Sequence, residues 1–422
     1  MNRRELLRLV DRPGAAFLDG WSDEGRWTMA LPRPMEEFRA GPGEEGRLED
    51  FLRDAFDRFP ADAAASRLPF SGGWVGFIGY EAGAEWEGAR PRAEATPEPA
   101  AIFYRHESVA AVDPSGEPVG ETPGADRREP ENGSKAFEPS GEIEDSLPGE
   151  NFVRAHAAIR EGIARGDYYQ VNLTRRFRVT TRGRGDGRDL FARLAGDPPP
   201  SYSALLRARD FDILSASPEL FLRADFRSRT VEMRPIKGTA RRFDDRERDE
   251  ASARALLRSE KDRAENIMIV DLCRNDLGRV CEPGSVEVAE LCRLRSHRVH
   301  HLESVVLGRL RPGTTPLGLL RSTFPPGSVT GAPKRAAVAA IRELEPVPRG
   351  VYCGAVGYLD CRGRVAFNVA IRTSVVTGSD IRYHAGGGIT WDSEAERERE
   401  EGNVKAAEFL ALLRQFSPRM EL

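Results

Sequence analysis

From Val351 to Thr390 the chain reads VYCGAVGYLDCRGRVAFNVAIRTSVVTGSDIRYHAGGGIT, with apolar and polar residues alternating between short turns that contain Gly and Asp. Alternation at period two makes strands, and turns this short join antiparallel neighbours. A second strand series, SYSALLRARDFDILSASPELFLRADFRSRTVEMRPIKGTA, precedes it, and DYYQVNLTRRFRVTT alternates in the same way. Between these lie helical patterns at Asn151–Arg165, Asp245–Leu272 (read as one long helix) and Ala336–Leu344, with a closing helix from Ser393 to Phe416. Strands that cluster in runs, rather than alternating one by one with helices, predict an α+β fold.

Upstream, AAFLDGW, RWTMALP and GGWVGFIGY read as strands, with a helix around Glu49 to Phe59. Asp113 to Glu150 is rich in Pro, Gly, Glu and Ser and reads as a solvated connector. The expected organisation is an N-terminal subdomain over 1–112, a polar variable linker over 113–150 and a larger C-terminal domain over 151–422.

Charge narrows the function. Acidic residues outnumber basic ones, 67 to 63, whereas a polyphosphate partner rewards clustered positive charge, so no nucleic-acid partner is expected. No apolar run approaches the ~20 residues of a membrane span, and Glu5 and Arg8 break the only apolar stretch near the start, so neither anchor nor signal peptide is expected. Cys273, Cys281, Cys292, Cys353 and Cys361 form no C-x-x-C pair, which suits reduced thiols in a cytoplasm. Only Lys135, Lys237, Lys261, Lys334 and Lys405 are lysines, the other basic residues being arginine. A lysine that survives such a bias is either a chance survivor or a place that needs a compact ammonium or a neutralisable amine.

Several positions carry candidate chemistry. Asp262 with Glu265, and Glu398 with Glu401, are carboxylates three apart, hence on one face of a helix. They read either as solvated charge or as oxygen ligands for Mg2+, which takes one or two carboxylates and keeps several waters. Lys237 lies between Pro235 and Gly238 at a strand exit. It is either a surface lysine or a nucleophile, and as a nucleophile it must shed a proton that about 99.9% of free lysines hold at pH 7. GSVTGAPK fails the phosphate-loop pattern in spacing and at Pro333. It remains a turn with Ser328 and Thr330 hydroxyls before a helix, suited to a polar or anionic group. In AGGGIT, Gly386, Gly387 and Gly388 offer bare amides or form an ordinary turn. Arg372 on an alternating strand calls for an anionic partner. Of the adjacent His300 and His301, only one can face a given side.

PIKGT, ENIMIVDLCRND, HHL, GSVTGAPK, AIRTS and AGGGI, in this order, resemble the chorismate-utilising enzymes, which include aminodeoxychorismate synthase component I, anthranilate synthase component I, and isochorismate and salicylate synthases. The likeness is close from Asn151 onward and looser before Asp113. It implies two facing antiparallel sheets wrapped by helices, with chorismate between them. It also implies that Glu265 and Glu401 bind Mg2+ directly, with Asp262 and Glu398 around its waters. Tyr352, Arg372, Gly386 and Gly388, with Gly387 between them, would hold the side-chain carboxylate, and Thr330 would lie near the ring. Lysine in PIKGT resembles the aminodeoxychorismate branch, in which Lys237 would attack ring C2, Glu219 of SASPELF would be the acid/base and His301 would support the reacting centre. Gln170 stands where water-using relatives carry a general-base lysine, and a carboxamide cannot take a proton from water. No nucleophilic-cysteine elbow is written in the chain, so ammonia would come from glutamine through a separate amidotransferase subunit. Asp19 and Gly20 in FLDGW stand where tryptophan-binding relatives carry serine, so tight tryptophan binding is not expected. The alternatives are an anthranilate synthase component I or another aminating relative, and, in a different class, a non-catalytic chorismate-binding protein.

Overall fold

The structure, a computed structural model, describes residues 1–22, 25–56, 67–91, 96–120, 137–140, 142–183 and 185–414. Among these, two large sheets account for all the strands, and every pairing is antiparallel. The first, of 11 strands, runs Gly331–Ala332, Gln170–Thr180, Asp380–Ile389, Thr373–Thr377, Asp212–Ala216, Ser203–Arg207, Ala16–Asp19, Thr28–Leu31, Ala110–Val112, Pro118–Gly120, with Glu144–Asp145 beside Gln170–Thr180. The second, of 10, runs Ile236–Arg241, Val299–Arg309, Thr230–Arg234, Leu220–Asp225, Arg364–Val369, Ala355–Asp360, Gly73–Ile78, Ala101–His106, Pro34–Ala40, with Glu287–Ser296 on Val299–Arg309. The α+β expectation and the two facing antiparallel sheets hold.

Burial follows the strand alternation. In Ala16–Asp19 all four residues are buried because both faces are covered. Ala16 and Leu18 enter an inter-sheet core with Met29, Phe77, Ile213 and Tyr358, while Phe17 points outward onto Phe191 of helix Gly187–Ala195 at 5.8 Å. The outer face of the first sheet is covered by helices Arg3–Arg8, Gly187–Ala195 and Ala395–Arg414. Helix Glu260–Gly278, with Pro316–Thr323 packed against it, covers the second, whereas Lys334–Leu344 packs on Gln170–Thr180 and Gly331–Ala332 at the end of the first. The inter-sheet core stops short of one end: Gln170–Thr180, Asp380–Ile389, Ile236–Arg241 and Val299–Arg309 contribute nothing to it. Apolar packing between the sheets ends there.

Three element readings change. The helix expected over Asp245–Leu272 is two, Arg246–Arg258 and Glu260–Gly278, because Ser259 ends the first and its hydroxyl accepts the Asp262 amide as N-cap of the second. AGGGIT is not a turn after a strand; its glycines lie inside Asp380–Ile389, paired with Leu173 and its neighbours. The helix expected around Glu49 to Phe59 runs Glu45–Arg53, and 57–59 lie outside the described residues. Residues 121–136 and 141 of the linker, and 415–416 of the closing helix, lie outside them too. Strands from 1–112 extend both sheets rather than building one of their own. No helix among the described residues is long and apolar enough to cross a membrane.

Candidate active site

The strand carrying Lys237 is bulged beside it. The register of Ile236–Arg241 on Val299–Arg309 shifts between Lys237 and Thr239, where Gly238 adopts φ +71°. A Cβ at Gly238 would lie 2.8 Å from Asp262 Cβ, so glycine serves both the left-handed backbone and the contact with helix Glu260–Gly278. By surface Lys237 is half-buried, yet protein crowds its ammonium. Loss of water lowers its pKa, opposed by Glu265, Glu219 and Glu401 and aided by Lys405.

Glu219 follows strand Asp212–Ala216. Its N–H donates to Ser217 Oγ (3.2 Å) and its C=O accepts from the Val369 amide (3.1 Å), so its backbone is pinned. The side chain is buried. Burial raises its pKa to about 7, and the Ser328 hydroxyl, the Lys237 ammonium and the Ile236 amide keep it from rising further. A carboxyl poised near neutrality can give and take a proton at working pH.

The two histidines divide as strand geometry requires. His300 is locked between Ser296 Oγ (2.7 Å) and Asp249 Oδ1 (3.0 Å), on the side of helix Arg246–Arg258. His301 is buried, stacks on His297 at 5.6 Å and feels Arg372. Burial, with His297 and Arg372, lowers its pKa to about 4. It is therefore a neutral imidazole at pH 7, a hydrogen-bonding dipole rather than a cation.

The acidic helices meet through Lys261. Lys261 Nζ lies 3.9 Å from Glu265 Oε1 on its own helix and 3.6 Å from Glu398 Oε1 on the other. Glu398 is further fixed by Ser393 Oγ at 2.7 Å. Glu401 takes Lys405 Nζ at 2.6 Å, which also donates to the Gly386 carbonyl. A Cβ at Gly387 would lie 3.1 Å from Glu398 Oε2 and 3.6 Å from Glu401 Oε1, so the bare strand lets both carboxylates close in. Burial and the neighbouring Asp262 and Glu398 raise the Glu265 pKa, against Lys237 and Lys261. Among the described residues no three of these groups converge to metal-binding distance. An ammonium bridges two of them instead. That arrangement fits a divalent cation: all donors are hard oxygens from facing helices, and they already gather positive charge between them.

Next to this cluster, the register presents the Gly386 and Gly388 amides. Their partners across the ladder, Thr174 and Asn172, turn their N–H groups the other way, to Glu345 Oε1 and the Thr330 carbonyl. Gly386 and Gly388 therefore direct theirs off the opposite edge, beyond the end of Thr373–Thr377. Arg372, at φ +49°, has no acidic partner among the described residues. Its guanidinium remains available for an anion from outside the chain. Gln170 is buried, and neither atom of its carboxamide finds a hydrogen-bond partner among the described residues. A Cβ at Gly388 would lie 2.0 Å from Gln170 Nε2. Thr330 is buried and spends its hydroxyl proton on the Pro326 and Gly327 carbonyls, which leaves its oxygen only an acceptor role toward any further partner. Tyr352 stacks on His384 at 5.0 Å and lines a cavity with Arg349 and Arg382. Lys237, Glu219 and the acidic helices do not line that cavity.

The model of the chorismate binding enzyme family matches residues 18–411. The chain belongs to the chorismate-binding enzymes. Aminodeoxychorismate synthase component 1 of Escherichia coli is 38% identical over 346 residues, 79% of this chain and 75% of that one. The Salmonella typhimurium protein of the same name is 44% identical over 254 residues, which span 60% of this chain and only 54% of that protein. Anthranilate synthase component 1 of Streptomyces coelicolor is 43% identical over 62% of this chain and 51% of its own length. Anthranilate synthase component I from Streptococcus pneumoniae superposes with a TM-score of 0.76 at 28% identity, covering 92% and 93% of the two chains.

In this chorismate-binding enzyme two residues take roles other than those read from the sequence. Ser328, expected to hold an anionic group of a ligand, holds Glu219. Lys334 and Asp276 form a buried pair at 2.6 Å, side chains 2% and 1% exposed, tying the GSVTGAPK loop to the helix that bears Glu265. The scarcity of lysine was the available signal. Lys334→Met is expected to reduce the unfolding free energy by about 3–5 kcal/mol at pH 8, measured by urea denaturation, because it strands a buried carboxylate. Burial already raises Asp276 to about 6 against the pull of Lys334. An acid whose folded pKa is raised contributes stability at low pH that is lost as pH climbs through that value, so the defect should be smaller at pH 5.

Proposed function

We propose that the chain aminates chorismate at C4, releasing 4-amino-4-deoxychorismate, through a covalent intermediate on Lys237. The observation that carries this reading is a lysine of lowered pKa, set by a glycine bulge among Glu219, Glu265 and Glu401. The neutral Lys237 amine attacks ring C2, the two ring double bonds shift, and the C4–O bond breaks as Glu219 protonates the departing hydroxyl to water. Ammonia then adds at C4, the double bonds shift back and the C2–N bond breaks, with Glu219 taking the excess proton from nitrogen. His301 steadies the changing charge as a neutral dipole.

Arg372 and the Gly386 and Gly388 amides hold the side-chain carboxylate, with Gly387 beneath the acidic helix and Tyr352 beyond, while Thr330 and Gln170 face the ring. Glu265 and Glu401, with Asp262 and Glu398 around its waters, are the residues that would hold Mg2+, whose chemistry there is to neutralise the ring carboxylate. Ammonia comes from a glutamine amidotransferase partner, as the component 1 names of the relatives suggest. A cytoplasmic role toward 4-aminobenzoate and folate belongs to the same reading.

The test is chemical. Purified protein with chorismate, ammonium and Mg2+ is expected to form a product that becomes 4-aminobenzoate only when aminodeoxychorismate lyase is added. Fluorescent anthranilate without lyase would favour the second reading, which the 43% identical anthranilate synthase relative supports, and binding without turnover would defeat both. Glutamine should replace ammonium only when the amidotransferase is present.

A further inference from the structure

Lys261 takes no part in the proposed chemistry, and its position runs against helix stability. It is the second residue of Glu260–Gly278, after the N-cap Ser259 and beside Glu260 and Asp262 in the first turn. A cation there opposes the helix dipole, which favours anions at that end. Its i+4 partner is Glu265, and lysine preceding glutamate is the weaker of the two orders.

What the position does serve is the gap between the helices. The Lys261 ammonium lies 3.6 Å from the buried Glu398 and 3.9 Å from Glu265, ion-pair rather than hydrogen-bond distances, while its side chain is 53% exposed. A half-exposed side chain touched only at ion-pair distance is held by charge and free to swing. Lys405 differs, being hydrogen-bonded at once to Glu401 and to the Gly386 carbonyl. In a chain with five lysines among 63 basic residues, the bridging cation is a lysine. A guanidinium would fork onto carboxylates and stay; an ammonium is a compact charge that can leave.

We propose that Lys261 stands in for the divalent cation, holding Glu265 and Glu398 together and swinging into solvent when a metal binds between the helices, on Glu265 directly and on Glu398 through its waters. The inference rests on the reading of these carboxylates as part of a Mg2+ site. Metal binding is then an exchange of one cation for another. The acidic cluster is never left as uncompensated charge, and the apparent metal affinity is lower than that of the bare carboxylates.

The scarcity of lysine makes the test direct. Protein labelled with 13C at the lysine ε-carbon gives one signal per lysine, and Lys261→Met assigns its own by deletion. On titration with MgCl2 the Lys261 signal is expected to move to the position of a free, solvated lysine, in step with binding measured by calorimetry. Lys261→Met should bind Mg2+ about fivefold or more tightly than the native protein. Mg2+ binding that leaves the Lys261 signal unmoved, or that is equal or weaker in Lys261→Met, overturns the exchange and leaves the metal site standing. Failure of both proteins to bind Mg2+ removes the metal site, and the exchange with it.

Discussion

Lys237→Met is expected to lower the rate of chorismate amination by about 10^3-fold or more, with little change in chorismate affinity. Methionine approximates the lysine stem but carries no amine, so both displacements lose their nucleophile and leaving group while the surrounding packing is kept. Single-turnover formation of 4-amino-4-deoxychorismate, followed chromatographically, reads the loss. Mass spectrometry of acid-quenched native protein should show a chorismate-derived adduct that the variant lacks. A variant keeping more than roughly a tenth of native activity would show that lysine serves only as a nearby charge, since removing a mere electrostatic neighbour costs far less than removing a covalent participant.

Glu219→Gln should cost about 10^2- to 10^4-fold in kcat, the usual scale for a positioned acid/base. Its pH signature separates chemistry from structure. The native carboxyl, raised by burial to about 7, is the acid that the departing hydroxyl needs, so the rate should fall as pH rises through that value. On the acid side the rate should fall as Lys237 takes up its proton. Because the two groups interact, both limbs belong to the pair rather than to either residue. Glu219→Gln should remove the alkaline limb. Stability should move in the opposite sense: a carboxyl with a raised folded pKa withdraws its contribution as pH climbs through about 7, whereas glutamine carries no ionisation cost. The variant should therefore resist urea better than the native protein at pH 8 while being nearly inactive. Loss of activity together with stability at pH 8 would sink the assignment.

Much of this could be read before any coordinates. Short Gly and Asp turns between alternating segments specify antiparallel neighbours by local geometry, and carboxylates three apart share a helix face whatever the helix packs on. Partners distant in sequence are a different matter. That Glu265 and Glu398 approach one another depends on where helix Ala395–Arg414 crosses the glycines of Asp380–Ile389. Nothing local writes that crossing. Ser259 looks unremarkable in a charged helical stretch, yet it ends one helix and caps the next. Three glycines suggest a turn by propensity alone. They stay extended because Asn172, Leu173 and Thr174 pair with them and because Gln170, Glu398 and Glu401 press where side chains would stand. The lysine bias pointed to five places; Lys135 lies outside the described residues, and Lys237, Lys261, Lys334 and Lys405 each meet a carboxylate, by contact or through the field.

The strand order bears on how the polypeptide is born. Ala16–Asp19 docks on Ser203–Arg207, and Gly73–Ile78 docks on Ala355–Asp360. These two segments thus belong to different sheets, and each waits for a neighbour made much later. Meanwhile they present unpaired backbone edges, the surface from which chains stick to one another. Cutting the gene at the polar connector would make the wait permanent, giving a longer fragment with two raw edges and a shorter one with nowhere to dock.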